Sequence, residues 1–256
     1  MNAIIYGRNA VSEALTAGRV RRVWVALGAT GKADTLVASA RQLGVAVAQV
    51  DRREIERLAP QSNHQGVAAE VTPFKYSSLD SVLQAAAARG EPAFLLILDC
   101  LQDPQNLGSL LRTAEIVGVH GAVLPRHRAA EVTPAVEKAS AGAVEHLAVV
   151  QETNLTQAIE RLKKAGLWIG GLEATDKAVD YWSAPLTGPL ALVVGSEGRG
   201  ISRLVRESCD FLVRLPMRGK VTSLNAAVAG SVVLYEAYRQ RLTAAAPALA
   251  DRQKKP

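Results

Sequence analysis

The chain has 256 residues, 48% hydrophobic and 21% charged, with a formal net charge of +6. These are ordinary globular values, and the length suits one large domain or two smaller ones with a real core. No apolar run approaches the ~20 residues of a membrane span, and the opening "MNAIIYGRNAVSEAL" carries polar residues too often for a signal peptide.

In chain order, the first seventy or so residues alternate. A helix-like "GRNAVSEALTAG" precedes the β-rich "VRRVWVAL". Then come "KADTLVASARQLG" with helical spacing, "VAVAQV" as a strand, "RREIERLA" as a helix and "GVAAEV" as a strand. This predicts a small α/β domain over residues 1–72. Residues 73–92 have proline at both ends of an Ala-rich helix and read as a linker.

From residue 93 the predicted strands are more apolar: "AFLLILDC", "GAVLP", "HLAVV", "LWIGGL", "LALVVG" and "FLVRLP". Helical stretches separate most of them. The expectation is a parallel-sheet α/β domain over 93–242, covered on both faces. Residues 243–256, "TAAAPALADRQKKP", have little to bury and read as a disordered basic tail.

Charge and cysteine placement narrow the partners. Residues 1–75 hold ten Lys/Arg against six Asp/Glu, whereas 76–242 hold seventeen of each. An excess at the ends fits polyanion binding, with Arg19, Arg21, Arg22, Arg52 and Arg53 as candidate RNA contacts; a merely soluble surface is the alternative. Cys100 and Cys209 are far apart and no His stands at metal-ligand spacing. A reduced, cytoplasmic chain without a metal site is expected.

Ligands of parallel sheets bind beyond the carboxyl ends of strands, and the unusual residues fall there. "LLILD" runs into "CLQDPQNLGSLLRTAE", where Asn106 can cap the next helix and Arg112 interrupts a largely apolar one. "LALVV" runs into "GSEGRGIS", three glycines with Glu197 among them. Their order is G-x-x-G-x-G, which meets neither the dinucleotide nor the P-loop signature. "FLVRLP" runs into "MRGKVTSLNAAVAGSVVLYEA", where Ser223 and Asn225 stand before a helix of small apolar residues. Capping explains those two, an arginine at a helix rim explains Arg112, and a generic turn explains the glycines. Three such loops on one sheet edge suggest a site.

The order and spacing of these loops resemble the three motifs of the SpoU/TrmH-type RNA 2′-O-ribose methyltransferases. Asn106 and Arg112 match the first motif, Gly195 and Glu197 the second, and Pro216, Ser223 and Asn225 the third. "YGRNAVSEAL" and "NHQGVAAEV" resemble the substrate-binding domain of the branch that modifies a guanosine of 23S ribosomal RNA. Arg199 departs from that branch, which often has an acid there.

The resemblance implies a SPOUT fold with a C-terminal trefoil knot, a homodimer, and S-adenosyl-L-methionine (AdoMet) as methyl donor. It implies catalytic roles for Arg112, Asn106, Glu197, Ser223 and Asn225, with Glu197 and Asn106 orienting Arg112. It places Gly195, Leu215, Leu224, Ser223 and Pro216 at the cofactor. The last helix, with Val232, Val233 and Tyr235, falls at the dimer interface. No metal is implied. A tRNA substrate, a catalytically inactive RNA-binding relative and a dinucleotide-binding oxidoreductase are the alternatives.

Overall fold

The computed structural model describes residues 3–60, 63–127, 129–221 and 223–252, with side chains up to residue 244. The elements of the N-terminal part are β1 (Ala3–Tyr6), α1 (Arg8–Thr16), β2 (Val20–Ala26), α2 (Lys32–Gln42), β3 (Ala46–Val50), α3 (Arg52–Leu58) and β4 (Val67–Val71). The sheet order is β1-β4-β2-β3, with β4 antiparallel to both neighbours and β2 parallel to β3. Ile5, Val23 and Val67 are fully buried under α1 and α2 together with Val11 and Leu36. The short β1 is the one strand here that periodicity does not signal.

The second part runs α4 (Leu79–Arg89), β5 (Phe94–Leu98), α5 (Pro104–Ile116), β6 (Gly121–Pro125), α6 (Pro134–Ala139), β7 (Ala148–Glu152), α7 (Leu155–Lys164), β8 (Trp168–Leu172), β9 (Val179–Asp180), β10 (Leu190–Val194), α8 (Arg203–Glu207), β11 (Phe211–Arg214) and α9 (Ala226–Arg252). Its strands form one parallel sheet in the order β7-β6-β5-β10-β8-β11-β9. Every residue of β5 and β10 is buried, as strands covered on both faces require. Leu96, Leu98, Leu192 and Val194 face α5 and α9; Leu95, Ile97, Ala191 and Val193 face α4 and α7.

Two boundaries differ from the sequence reading. The linker helix α4 does not hang free: Leu79 and Val82 are buried against the sheet, and a Cβ on Gly121 would meet Val82 at 2.8 Å. Its apolar side needs that cover. Helix α9 continues through residues 243–252, where a disordered tail is expected; the alanines there are the best helix formers. Residues 253–256 lie outside the described residues. Among the described residues no helix is long and apolar enough to cross a membrane.

The two parts meet at a buried ionic junction. Arg19, after α1, donates to Glu145, to Glu137 Oε1 at 3.2 Å and to the carbonyl of Thr72 at 2.9 Å. Both carboxylate side chains are 3% exposed. Burial pushes Glu137 up to about 7, with Arg19 opposing it, and raises Glu145 for the same reason. Arg19 is thus held by its own chain and is no candidate for RNA.

A candidate active site at the carboxyl edge of the sheet

Because the strands are parallel, the chain leaves β5, β10 and β11 on one edge, with β8 between the last two. The loop after β5 enters α5 through Asp103, whose carboxylate accepts from the N–H of Gln105 at 3.1 Å and Asn106 at 3.3 Å. Asp103, not Asn106, therefore caps the helix. This releases the buried Asn106 side chain, which donates from Nδ2 to Glu197 Oε1 at 2.7 Å.

The glycine loop after β10 folds back on itself. Ser196 and Gly200 exchange backbone hydrogen bonds of 3.0 and 2.9 Å, and Gly198 and Gly200 lie at φ +75° and +64°, where a side chain is strained. A Cβ on Gly195 would meet the Gly200 carbonyl carbon at 2.1 Å. Close approach of the chain's own backbone, rather than of a ligand, requires glycine there. Two carboxylates from flanking strand ends hold the turn: Asp99 accepts from Ser202 N–H at 2.6 Å, and Glu173 from Ile201 N–H at 3.3 Å. Asp99 opens the first motif stretch, at the end of "LLILD", whereas Glu173 belongs to none of the three.

Asn225 caps α9, its Oδ1 accepting from Ala227 N–H at 2.9 Å and Val228 N–H at 3.1 Å. The capping reading is correct and incomplete, because Nδ2 of the same side chain donates to Asn106 Oδ1 at 2.9 Å and Glu197 Oε1 at 2.5 Å. Three residues from three strand ends so form one network. Behind its start, Gly230 lets α9 approach closely; a Cβ there would lie 2.6 Å from Leu110 and 3.1 Å from Val194.

Two cavities adjoin the network and share Ser196, Glu197 and Arg199 as a wall. One, of about 310 Å³, is lined by Leu172, Leu215, Met217 and Leu224 together with Gly195 and Ser223. The other, of about 560 Å³, opens between the loops after β5 and β10 and includes Gln102 and Asn106. Residues Pro216–Val221 make no hydrogen bond to another described residue, so their backbone groups are available beside the first cavity. Pro216 does not line it. Among the described residues no group of three or more His, Cys, Asp or Glu could hold a metal.

Arg112 stands apart. It lies two turns along α5 from Asn106, is exposed, and makes no hydrogen bond or ion pair with a described residue. The expected orientation by Glu197 and Asn106 is not made within one chain, because Glu197 Oε1 takes both amides instead. Arg112 shares its exposed helix face with Ile116, next to α9, where Val228, Val232 and Tyr235 are also exposed. Val233 points the other way, into the chain's own core.

Comparison with known proteins follows this division. Residues 93–235 match the model of the SpoU rRNA Methylase family, and residues 4–77 match that of RNA 2′-O ribose methyltransferase substrate binding. YacO of Bacillus subtilis, assigned by family only as a TrmH family tRNA/rRNA methyltransferase, is 44% identical over 239 residues, 93% of this chain and 95% of that protein. A Staphylococcus haemolyticus protein with the same family assignment is 42% identical, covering 93% and 96%. Among solved structures, the SpoU methyltransferase AviRb from Streptomyces viridochromogenes in complex with the cofactor AdoMet superimposes with a TM-score of 0.76 at 26% identity, over 94% of this chain and 91% of that one.

Proposed function

The chain belongs to the SpoU family of RNA methyltransferases, and from that premise we propose that it methylates the ribose 2′-hydroxyl of a guanosine in 23S ribosomal RNA, in the cytoplasm and as a homodimer. The methyl donor is AdoMet, as in the AviRb complex. The observation that carries the reading is the Asn106–Glu197–Asn225 network, which joins three motif loops beside a cavity lined by Gly195, Ser223, Leu215 and Leu224. Transfer RNA is the second reading, because the assignment of YacO spans both RNAs.

The residues fit the cofactor. Leu172, Leu215, Met217 and Leu224 offer apolar walls to a flat ring, and the backbone of Pro216–Val221, unpaired among the described residues, offers donors and acceptors for its edge. When bound, AdoMet supplies an activated methyl group and its own leaving group. The protein must then align the 2′-oxygen and ease the loss of its proton. Arg112 as a literal base is demanding, since a guanidinium keeps its proton throughout the physiological range. In this reading it stays charged and stabilises the developing alkoxide or clamps the neighbouring phosphate, and the proton leaves late to solvent. Glu197 fixes Asn106 and Asn225; Ser223, exposed and without a partner among the described residues, holds nucleotide or cofactor.

A second copy covering Val228, Val232 and Tyr235 would bury Arg112 and Ile116 with them, and the exposure of this stripe in one chain supports the dimer. Ala229 lines the cofactor cavity, so Val232 is the better place to break the interface. Val232→Glu should give a monomer by light scattering; a dimer of unchanged stability would move the interface off this stripe, and a monomeric wild type would remove the assembly from the reading. The trefoil path of the backbone belongs to the same proposal.

The test is methyl transfer from labelled AdoMet to unmodified 23S ribosomal RNA and to bulk tRNA, with the product mapped by resistance of one phosphodiester to alkali. A single protected guanosine in 23S RNA is expected. Protection in tRNA alone would replace the substrate, and no transfer to either RNA despite AdoMet binding would remove the activity.

A further inference from the structure

The N-terminal part carries a cavity of about 650 Å³, sharing no lining residue with the two at the motif loops and lined by Arg8, Lys32 and Arg52 with Asn9, Leu27 and Gln65. Among the described residues no carboxylate lines it. Arg8 is placed rather than loose: its Nε donates to the Gln65 carbonyl at 3.2 Å and its backbone N–H to Gln65 Oε1 at 3.1 Å, leaving the two terminal nitrogens for another acceptor. Lys32 has no partner among the described residues, and Arg52 has only a 3.6 Å surface pair with Glu56, worth little in water.

The rim is backbone-built. Gly28, Gln65 and Gly66 take φ of +77°, +53° and +75°, and a Cβ on Gly28 would meet nothing within 4 Å. Beside the cations Leu27 is 66% exposed, an apolar side chain standing open at the mouth. Three convergent cations next to one apolar surface match a phosphate joined to an unstacked base.

We propose that this cavity is the anchoring site for an unpaired nucleotide of the RNA substrate, with Arg8, Lys32 and Arg52 on its phosphates and Leu27 against its base. The proposal rests on the RNA methyltransferase reading above and names where the RNA is first held. It also separates the basic residues of this region: Arg21 and Arg53 are exposed but do not line the cavity, and Arg19 is taken up by the junction.

The experiment uses the full chain and in-vitro-transcribed 23S RNA. Kd is measured across a salt series for the wild type, for Arg8→Ala/Lys32→Ala/Arg52→Ala, and for a control triple of exposed cations outside the cavity, Arg41→Ala/Arg89→Ala/Lys164→Ala. Each lost phosphate contact flattens the plot of log K against log salt by ~0.7–0.9. The cavity triple should therefore be flatter by about 2, and the control by much less. Leu27→Ser, at an exposed position that leaves the fold intact, should weaken binding with the slope unchanged, as loss of a base contact requires. AdoMet affinity should be unaltered in all three. Equal slopes for the two triples, or a Leu27→Ser protein that binds as the wild type, would overturn the anchoring site. Failure of the methyltransferase reading is seen separately, as wild-type protein that transfers no methyl group to RNA.

Discussion

The domain junction and the sheet edge both gather polar groups, the first buried and the second open to water at Glu197 and Asn225, on opposite charge logic. At the junction two carboxylates share one guanidinium; Glu137 Oε2 and Arg19 Nε have no hydrogen-bond partner among the described residues. At the sheet edge a single carboxylate accepts from two neutral amides. The first arrangement shifts protonation strongly, Glu137 rising to about 7. The second brings three loops together through one shared oxygen. Perturbed protonation often marks a catalytic site, but here it marks the place where two domains are clasped. The chemistry proposed for the sheet edge agrees: alignment and a fixed positive charge require no residue poised near neutrality.

Substitutions should separate the two regions cleanly. Arg19→Met removes the guanidinium that bridges two buried carboxylates, and breaking such a cluster costs about 3–5 kcal/mol. Urea unfolding should show that loss, while AdoMet affinity at a temperature where the protein is folded stays near wild type. A protein of unchanged stability would show that the junction is solvated. Arg112→Ala should do the reverse: turnover falls ~10²–10³-fold, the usual effect of losing one preorganised donor, with stability and AdoMet affinity within a few-fold. Lost AdoMet binding with near-normal turnover at saturation would move Arg112 to the cofactor.

The pH dependence is a third way to divide them. The Glu137 carboxyl titrates about 7 in the folded protein against 4.5 when unperturbed. Between these values the folded state holds the extra proton, so this contribution to stability is full below about pH 4.5 and is lost as pH rises towards 7. At about 1.4 kcal/mol per unit, the loss is on the order of a few kcal/mol. Glu137→Gln should flatten the fall in unfolding free energy between pH 5 and pH 8; an unchanged slope would assign it to other groups.

The smallest effect on stability is expected at Asn225. Asn225→Ser keeps an acceptor for the first N–H groups of α9 and should cost only a few tenths of a kcal/mol, yet it cannot reach Glu197 and Asn106 as a donor. Methyl transfer should drop while thermal unfolding barely moves. Equal loss of both would make Asn225 a cap alone.

Much of this was legible in residue order. The buried strands announce themselves as unbroken apolar runs, and Asn106, Glu197 and Asn225 stand at strand ends whose parallel direction brings them together. Local reasoning mistook causes more than places. Asn106 looks like a cap because Asn is a good cap, but Asp103 lies three residues earlier and takes that position. Gly195 reads as part of a generic turn, whereas the chain folded back at Gly200 leaves no space for a side chain there. The junction was illegible for a simple reason: Arg19 reads as a surface cation until the fold carries Glu137 and Glu145, more than a hundred residues away, onto it.

The position of β10 bears on how the protein is made. β5, β6 and β7 are neighbours in both chain and sheet, so they can pair as they leave the ribosome. β8 cannot join them, because the strand that belongs between it and β5 begins only at Leu190. Until then the nascent chain offers the open edge of Phe94–Leu98, every residue of which is buried in the finished protein. Such an edge is a template for wrong pairing. Translation stalled before Val194 would therefore leave a sticky half-sheet that needs a chaperone.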